Sequence, residues 1–287
     1  ALPICNIMKK ILILGGGTAG TMMSNKLFKA LDRNEWEITV VDQHKTHYYQ
    51  PGFLFIPFGI YNKTDVVKPK GDFFPAGVKV IYQEIDRIAG EDNKVHLMDG
   101  TCLQYDFLII ATGTQTRPDE TPGLLGEEWR KSIFDFYTVE GAVALQQFFK
   151  SWEGGKLVLA ISELPFKCPV APIEFVCLAE AYFTEKGIRD KVDITYVTPL
   201  PGAFTKPIAT KMLSQLLEDK NIKVVPDFYL ESVDGEKKVI KSYDELEIPY
   251  DVLTIVPVNM GSEMIERSGL GDDMNYVDTD KETLQSK

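Results

Sequence analysis

Lys9–Leu27, KKILILGGGTAGTMMSNKL, reads as a strand, a tight turn and a helix. Ile11–Leu14 is the short apolar run of a buried parallel strand. Gly15, Gly17 and Gly20 follow in the spacing Gly-x-Gly-x-x-Gly. The first glycine permits a tight turn, the second lets backbone approach a pyrophosphate, and the third lets helix and strand pack closely. Thr18 and Ala19 open the helix, whose N-terminal amides and partial positive charge suit an anion. EITVV, residues 37–41, is a second strand, and Asp42 at its end is placed to accept hydrogen bonds from an adenosine ribose. The competing reading is a βαβ unit whose turn is rich in glycine by accident.

Outward from this unit, 287 residues suffice for two domains with a sizeable core. The net charge of −11 argues against non-specific nucleic-acid binding and against a broadly basic membrane-docking face. No apolar run reaches the length of a membrane span. Residues 1–7 lack the cationic leader and apolar core of a signal peptide, so Met8 reads as the natural start and ALPICNI as a leftover of cloning. Cys5, Cys102, Cys168 and Cys177 show no metal-ligand spacing and no disulfide framework, which points to a reduced, cytoplasmic setting without a metal.

Residues 44–61, HKTHYYQPGFLFIPFGIY, are aromatic and are broken by Pro51, Gly52, Pro57 and Gly59, so irregular structure is expected. This stretch is either a core-covering loop or an aromatic wall beside a flat ring system, and His44 and His47 read as solvated loop residues. GVKVIYQEIDRI, residues 77–88, reads as a strand, and Asp99-Gly100 marks a hairpin turn. YDFLIIATG, residues 105–113, ends a buried strand in small residues that let backbone lie against a cofactor. Here the chain resembles the two-dinucleotide-fold flavoprotein oxidoreductases. The resemblance implies that Gly15, Gly17, Thr18, Ala19, Gly20 and Asp42 hold the pyrophosphate and ribose of FAD. It also places Ala111, Thr112 and Gly113 near the cofactor, Ile85 at the adenine and Pro51 near the isoalloxazine.

Residues 114–154 form a crossover with a helix over 139–152, and GKLVLAI, residues 155–161, starts a second parallel unit. A nicotinamide nucleotide there needs a second glycine fingerprint. The chain instead has SELPFKCPVAP over 162–172, with three prolines and no glycine, and the next strand ends at Thr198-Pro199 without a carboxylate. Pro172 suits the first turn of a helix that runs to about Lys186, with Gly187 as its stop. Cys168 precedes that helix, whose dipole favours a thiolate, and Lys167 adds positive charge. Glu174 in the first turn is placed to move a proton near the sulfur, unless it only complements the dipole and Cys168 is only a small buried hydrophobe. Cys177 reads as core. A helix over 205–220 opened by Thr205, a β-meander over 221–250 and a repeat of the Ala-Thr-Gly strand pattern in YDVLTIVP, residues 250–257, complete the second unit.

CPVAPIE resembles the signature of the sulfide:quinone oxidoreductase and flavocytochrome c sulfide dehydrogenase group. That resemblance implies a redox-active Cys168 with Glu174 close by. It also implies a further segment after Lys287 with the rest of the FAD site, a second redox cysteine, the quinone site and membrane-docking helices, so the chain reads as incomplete. The expected architecture is α/β with two Rossmann-like domains, each with an inserted β-meander: residues 8–115 for FAD, a crossover over 116–154, and 155–287. The expected activity is sulfide oxidation through Cys168, with electrons passing through FAD to a quinone or a cytochrome. Membrane contact is peripheral, through the further segment, and self-association is left open. An NADH:quinone or NADH:acceptor reductase is the alternative enzyme, and a catalytically silent flavin- or partner-binding subunit is the alternative of another class.

Overall fold

The computed structural model describes residues 8–286, so the reading of residues 1–7 lies outside the described residues. Two compact units emerge, each discontinuous in the chain. The first takes residues up to Tyr48, then Val67–Gln115 and those from Met260 onward; the second takes Tyr49–Val66 and Thr116–Asn259.

In the first unit, β1 (Lys9–Leu14), β2 (Trp36–Asp42), β3 (Lys79–Tyr82) and β7 (Phe107–Ile110) form a parallel sheet in the order β3-β2-β1-β7. A three-stranded meander of β4 (Ile85–Ala89), β5 (Lys94–Leu97) and β6 (Cys102–Gln104) is inserted before β7, with helix α1 (Thr18–Ala30) between β1 and β2. Alternation decides the packing. Ile11, Ile13, Ile38 and Val40 face Met23, Leu27 and Phe28 of α1, whereas Leu12, Leu14 and Val41 face Ile88, Val95 and Leu97 of the meander. With both faces covered, the strand reads as an uninterrupted apolar run. Each such fully buried aliphatic contributes about 1.5–3 kcal/mol.

The second unit repeats the plan. Its strands β8 (Ile133–Phe134), β9 (Gly155–Ile161), β10 (Val192–Val197), β11 (Ile222–Val225) and β15 (Val252–Val256) form a parallel sheet in the order β8-β15-β9-β10-β11. Helices α2 (Val139–Ser151), α3 (Ala171–Glu185) and α4 (Pro207–Asp219) connect them, and the meander is β12 (Leu230–Asp234), β13 (Val239–Ser242) and β14 (Glu247–Pro249). β15 runs beside β9 as β7 runs beside β1, the repeat expected from YDVLTIVP. The fold class is that expected from the sequence.

Four local expectations are corrected. Residues 77–88 are not one strand: β3 pairs parallel with β2, while β4 pairs antiparallel with β5, so the chain must turn between them. Residues 44–61 are not wholly irregular. Thr46–Tyr48 pairs with Val67–Pro69, and Gln50–Phe55 is a 3-10 turn with Pro51 at its start, where a missing N–H costs nothing. Residue Lys206, not Thr205, caps α4. The division at 115 and 155 is redrawn, because each unit recruits distant segments for its core. Met264 and Ile265 join Leu12 and Val41 in the first unit. In the second, Phe58 packs on Phe149 and Phe175, and Gln146 donates to the carbonyl of Ile56.

Candidate functional sites

In the first unit the glycine turn lies between β1 and α1. Gly15 has φ +93°, and a Cβ there would stand 2.3 Å from the carbonyl oxygen of Ala111. A Cβ at Gly20 would stand 1.8 Å from the carbonyl oxygen of Gly15. These two glycines therefore lock turn, helix and the Ala111–Gly113 strand end together, and the Ala111 amide donates to the Leu14 carbonyl at 2.7 Å. Gly17 differs, because a Cβ there would meet nothing within 4 Å. It is the N-cap of α1, no side chain caps the helix, and no acid occupies the first turn, which includes Thr18 and Ala19. An uncapped helix N-terminus beside open space fits a pyrophosphate.

Asp42 stands at the rim of this turn, as its position after β2 requires. Its carboxylate accepts the Gly16 amide at 2.6 Å and the His44 amide at 2.7 Å. It also pairs with Lys70 Nζ at 2.6 Å, with side-chain exposures of 5% for Lys70 and 11% for Asp42. Nothing in the sequence around Lys70 distinguishes it from a solvated lysine. Burial alone reveals it, on the opposite side of the hairpin that carries His47. That histidine is no solvated loop residue: it lies 4.7 Å from the Phe73 ring, and burial, with Lys70 beside it, lowers its pKa against the pull of Asp42. Ile85 lies in β4, where its carbonyl accepts Arg267 Nη2 at 3.1 Å.

In the second unit the segment between β9 and α3 replaces a nucleotide turn. Cys168 is exposed and adopts φ +61°, the left-handed region that a residue with a Cβ enters only at a cost. Its carbonyl accepts the Ala171 amide at 3.3 Å, at the start of α3. That helix has Pro172 at its start, no side-chain cap, and Glu174 as the acid of its first turn. Lys167 is tied at both ends: its ammonium donates to Gln50 Oε1, next to Pro51, and its carbonyl accepts the hydroxyl of Tyr137 at 2.7 Å. Burial lowers the Lys167 pKa, against the pull of the Cys168 sulfur. Tyr137 is pushed far up by burial, with Cys168, Tyr196 and Glu174 adding to the effect, so its hydroxyl stays protonated as a donor. Cys177 is half-buried and its thiol is pushed up by burial, while Cys102 is exposed on β6.

Cys168 and Glu174 thus both act on the Tyr137 hydroxyl, which is bonded to the Lys167 carbonyl, while Gly15–Gly20, Asp42 and Ala111–Gly113 gather around the turn of the first unit. Nothing in the sequence marks Lys70 as the partner of Asp42 or Tyr137 as the partner of the Lys167 carbonyl. Among the described residues no group of three His, Cys, Asp or Glu side chains is placed to hold a metal ion, and no helix is long and apolar enough to cross a membrane.

Residues 9–151 match the pyridine nucleotide-disulphide oxidoreductase family. Across 281 residues the chain is 26% identical to the mitochondrial sulfide:quinone oxidoreductase of Dictyostelium discoideum, covering 96% of this chain and 62% of that protein. The crystal structure of the sulfide:quinone oxidoreductase of Aquifex aeolicus superposes with a TM-score of 0.81 at 19% identity, covering 94% of this chain and 64% of that one. A type II NADH:quinone oxidoreductase of Staphylococcus haemolyticus is 33% identical, over only 41% of this chain and 29% of that protein. The chain spans less than two thirds of the length of each of these relatives.

Fold, glycine turn and matches liken the chain to the pyridine nucleotide-disulphide oxidoreductases, whose family model spans residues 9–151. Over more than nine tenths of its length the chain is similar to sulfide:quinone oxidoreductases.

Proposed function

We propose that the protein oxidises sulfide at Cys168 and delivers the electrons to a quinone. The observation that carries this reading is the exposed Cys168, held at φ +61° just before the uncapped α3, in the loop where a nicotinamide fingerprint would stand. A left-handed non-glycine residue persists only where its surroundings determine it, and such residues cluster at functional sites. Gly15, Gly17, Thr18, Ala19, Gly20, Asp42 and Ala111–Gly113 would hold FAD. When bound, FAD would supply a two-electron acceptor.

The chain's own residues divide the remaining work. When Cys168 is oxidised as a disulfide with a second thiol, hydrosulfide attacks its sulfur; the new sulfur–sulfur bond forms as the disulfide breaks, and the second thiol leaves as a thiolate carrying the electron pair. The α3 N-terminus stabilises the anionic sulfur. Glu174, exposed in the first turn of α3, takes the proton that hydrosulfide releases. Lys167, engaged with Gln50, places a cation next in sequence to the sulfur.

The test is an anaerobic visible spectrum of the flavin-loaded protein before and after sulfide. Bleaching in wild type and its loss in Cys168→Ser is the expected result. Bleaching by NADH with indifference to sulfide would replace this reading with that of an NADH:acceptor reductase. A flavin spectrum unmoved by either would mark a silent flavin-binding subunit.

A further inference from the structure

We infer that Tyr137 is a positioning residue for Cys168, its hydroxyl holding the Lys167–Cys168 peptide in the orientation that presents the sulfur. The inference deepens the reading of Cys168 as the reactive sulfur and rests on it.

The orientation of this peptide is unusual, because Cys168 sits at φ +61° in a loop containing no glycine. Something must hold it there. The carbonyl of the preceding residue, Lys167, accepts the Tyr137 hydroxyl at 2.7 Å. Rotating Cys168 into the ordinary negative-φ region swings the adjoining peptide, and this hydrogen bond opposes that rotation. The Lys167 side chain is anchored separately on Gln50, so side chain and carbonyl are fixed from different directions.

Tyr137 can act as a post because it is itself immobilised. Asp135 Oδ1 accepts the Tyr137 amide at 2.9 Å, the Thr138 amide at 2.7 Å and the Thr138 hydroxyl at 2.9 Å. Asp135 is in turn held by Arg130 at 2.7 Å. Thr138 caps α2 by accepting the Gly141 amide at 3.1 Å. The neighbouring Phe136 stacks on Phe175 of α3 with ring centroids 4.7 Å apart. The post is therefore built into the start of α2 and tied to the helix that follows Cys168. The hydroxyl keeps its proton, since burial and the nearby Cys168, Tyr196 and Glu174 all oppose ionisation.

The experiment reads the rate of iodoacetamide alkylation of Cys168 by peptide mass, with Cys102 and Cys177 in the same molecules as internal references. Tyr137→Phe removes only the donor. It is expected to slow Cys168 by about threefold or more, the scale set by one neutral hydrogen bond, with both reference thiols unchanged. 3-Fluorotyrosine at position 137, which restores the donor, is expected to restore the rate. Tyr196→Phe, which removes a neighbouring buried hydroxyl, is expected to leave it alone. Thermal unfolding verifies that each variant is folded, and Tyr137→Met is the second donorless variant if Tyr137→Phe does not fold. A Cys168 rate in the folded donorless variant within experimental error of wild type, or faster, overturns the inference. Alkylation needs neither sulfide nor a quinone, so this failure and a failure of the sulfide reading are separate results.

Discussion

Asp42 and Lys70 form an ion pair at 2.6 Å with little exposure on either side chain. Such a pair is weak evidence of stability, but removing one partner strands the other charge. Lys70→Met is expected to destabilise the chain by about 3 kcal/mol, the low end for a broken buried pair, because two backbone amides still reach Asp42. The double variant Asp42→Asn with Lys70→Met is expected to recover part of that loss, and a urea-unfolding double-mutant cycle measures the coupling. Additive single effects would show that the pair is not coupled. Gly15→Ala tests a different constraint, since it adds a Cβ at φ +93° against the Ala111 carbonyl. A loss of at least about 2 kcal/mol is expected, from left-handed strain and overpacking together. Asp42 and the glycines were legible in the sequence because their chemistry is local to one βαβ unit. Lys70 was not, because a lysine's partner is set by a distant segment. Tyr137 was not, because its partner is a backbone carbonyl, which leaves no mark in side-chain identity.

At the scale of elements, β10 carries the most informative buried phenol. Tyr196 has no exposed surface, and burial pushes its phenol up to about 12, the Thr198 hydroxyl pulling the other way. A folded-state pKa above the unfolded value near 10 gives stability that is present below pH 10 and lost as pH rises through about 12. The loss from this residue is about 2–3 kcal/mol. Tyr250, also raised by burial and by Glu128 and Asp234, acts in the same direction. Urea midpoints between pH 9 and 12 should therefore fall steeply in wild type and less steeply in Tyr196→Phe. Equal slopes would mean that β10 does not keep this phenol neutral. The elements themselves were legible wherever both faces of a strand are apolar or a helix carries Pro at its start, as in β1, β9 and α3. The split of residues 77–88 was not, because β3 and β4 have similar composition and differ only in the direction of their partners. The same limit hid the recruitment of Met264 and Ile265 into the first core, a contact that joins the two ends of the described chain.

For the whole molecule the decisive quantity is linkage between folding and cofactor. A ligand that binds only the folded state stabilises it by RT ln(1 + [L]/Kd), about 2.7 kcal/mol at a hundredfold excess over Kd. For a chain of 287 residues that corresponds to a rise in Tm of roughly 5 °C. FAD is expected to produce this rise in the chain as it stands, because the turn that would receive it lies wholly within the first unit and is already locked by Gly15, Gly20 and the Ala111 strand end. NADH is expected to produce none in the FAD-saturated protein, because residues 162–172 offer three prolines, Cys168 and no glycine where a second pyrophosphate would have to approach. Differential scanning calorimetry with each nucleotide separates the cases. A rise with FAD that Asp42→Ala reduces would show that the turn and its carboxylate bind as a unit. A rise with NADH on top of FAD would show that the second unit binds a nucleotide without the glycines, and would favour hydride transfer over sulfur chemistry at Cys168.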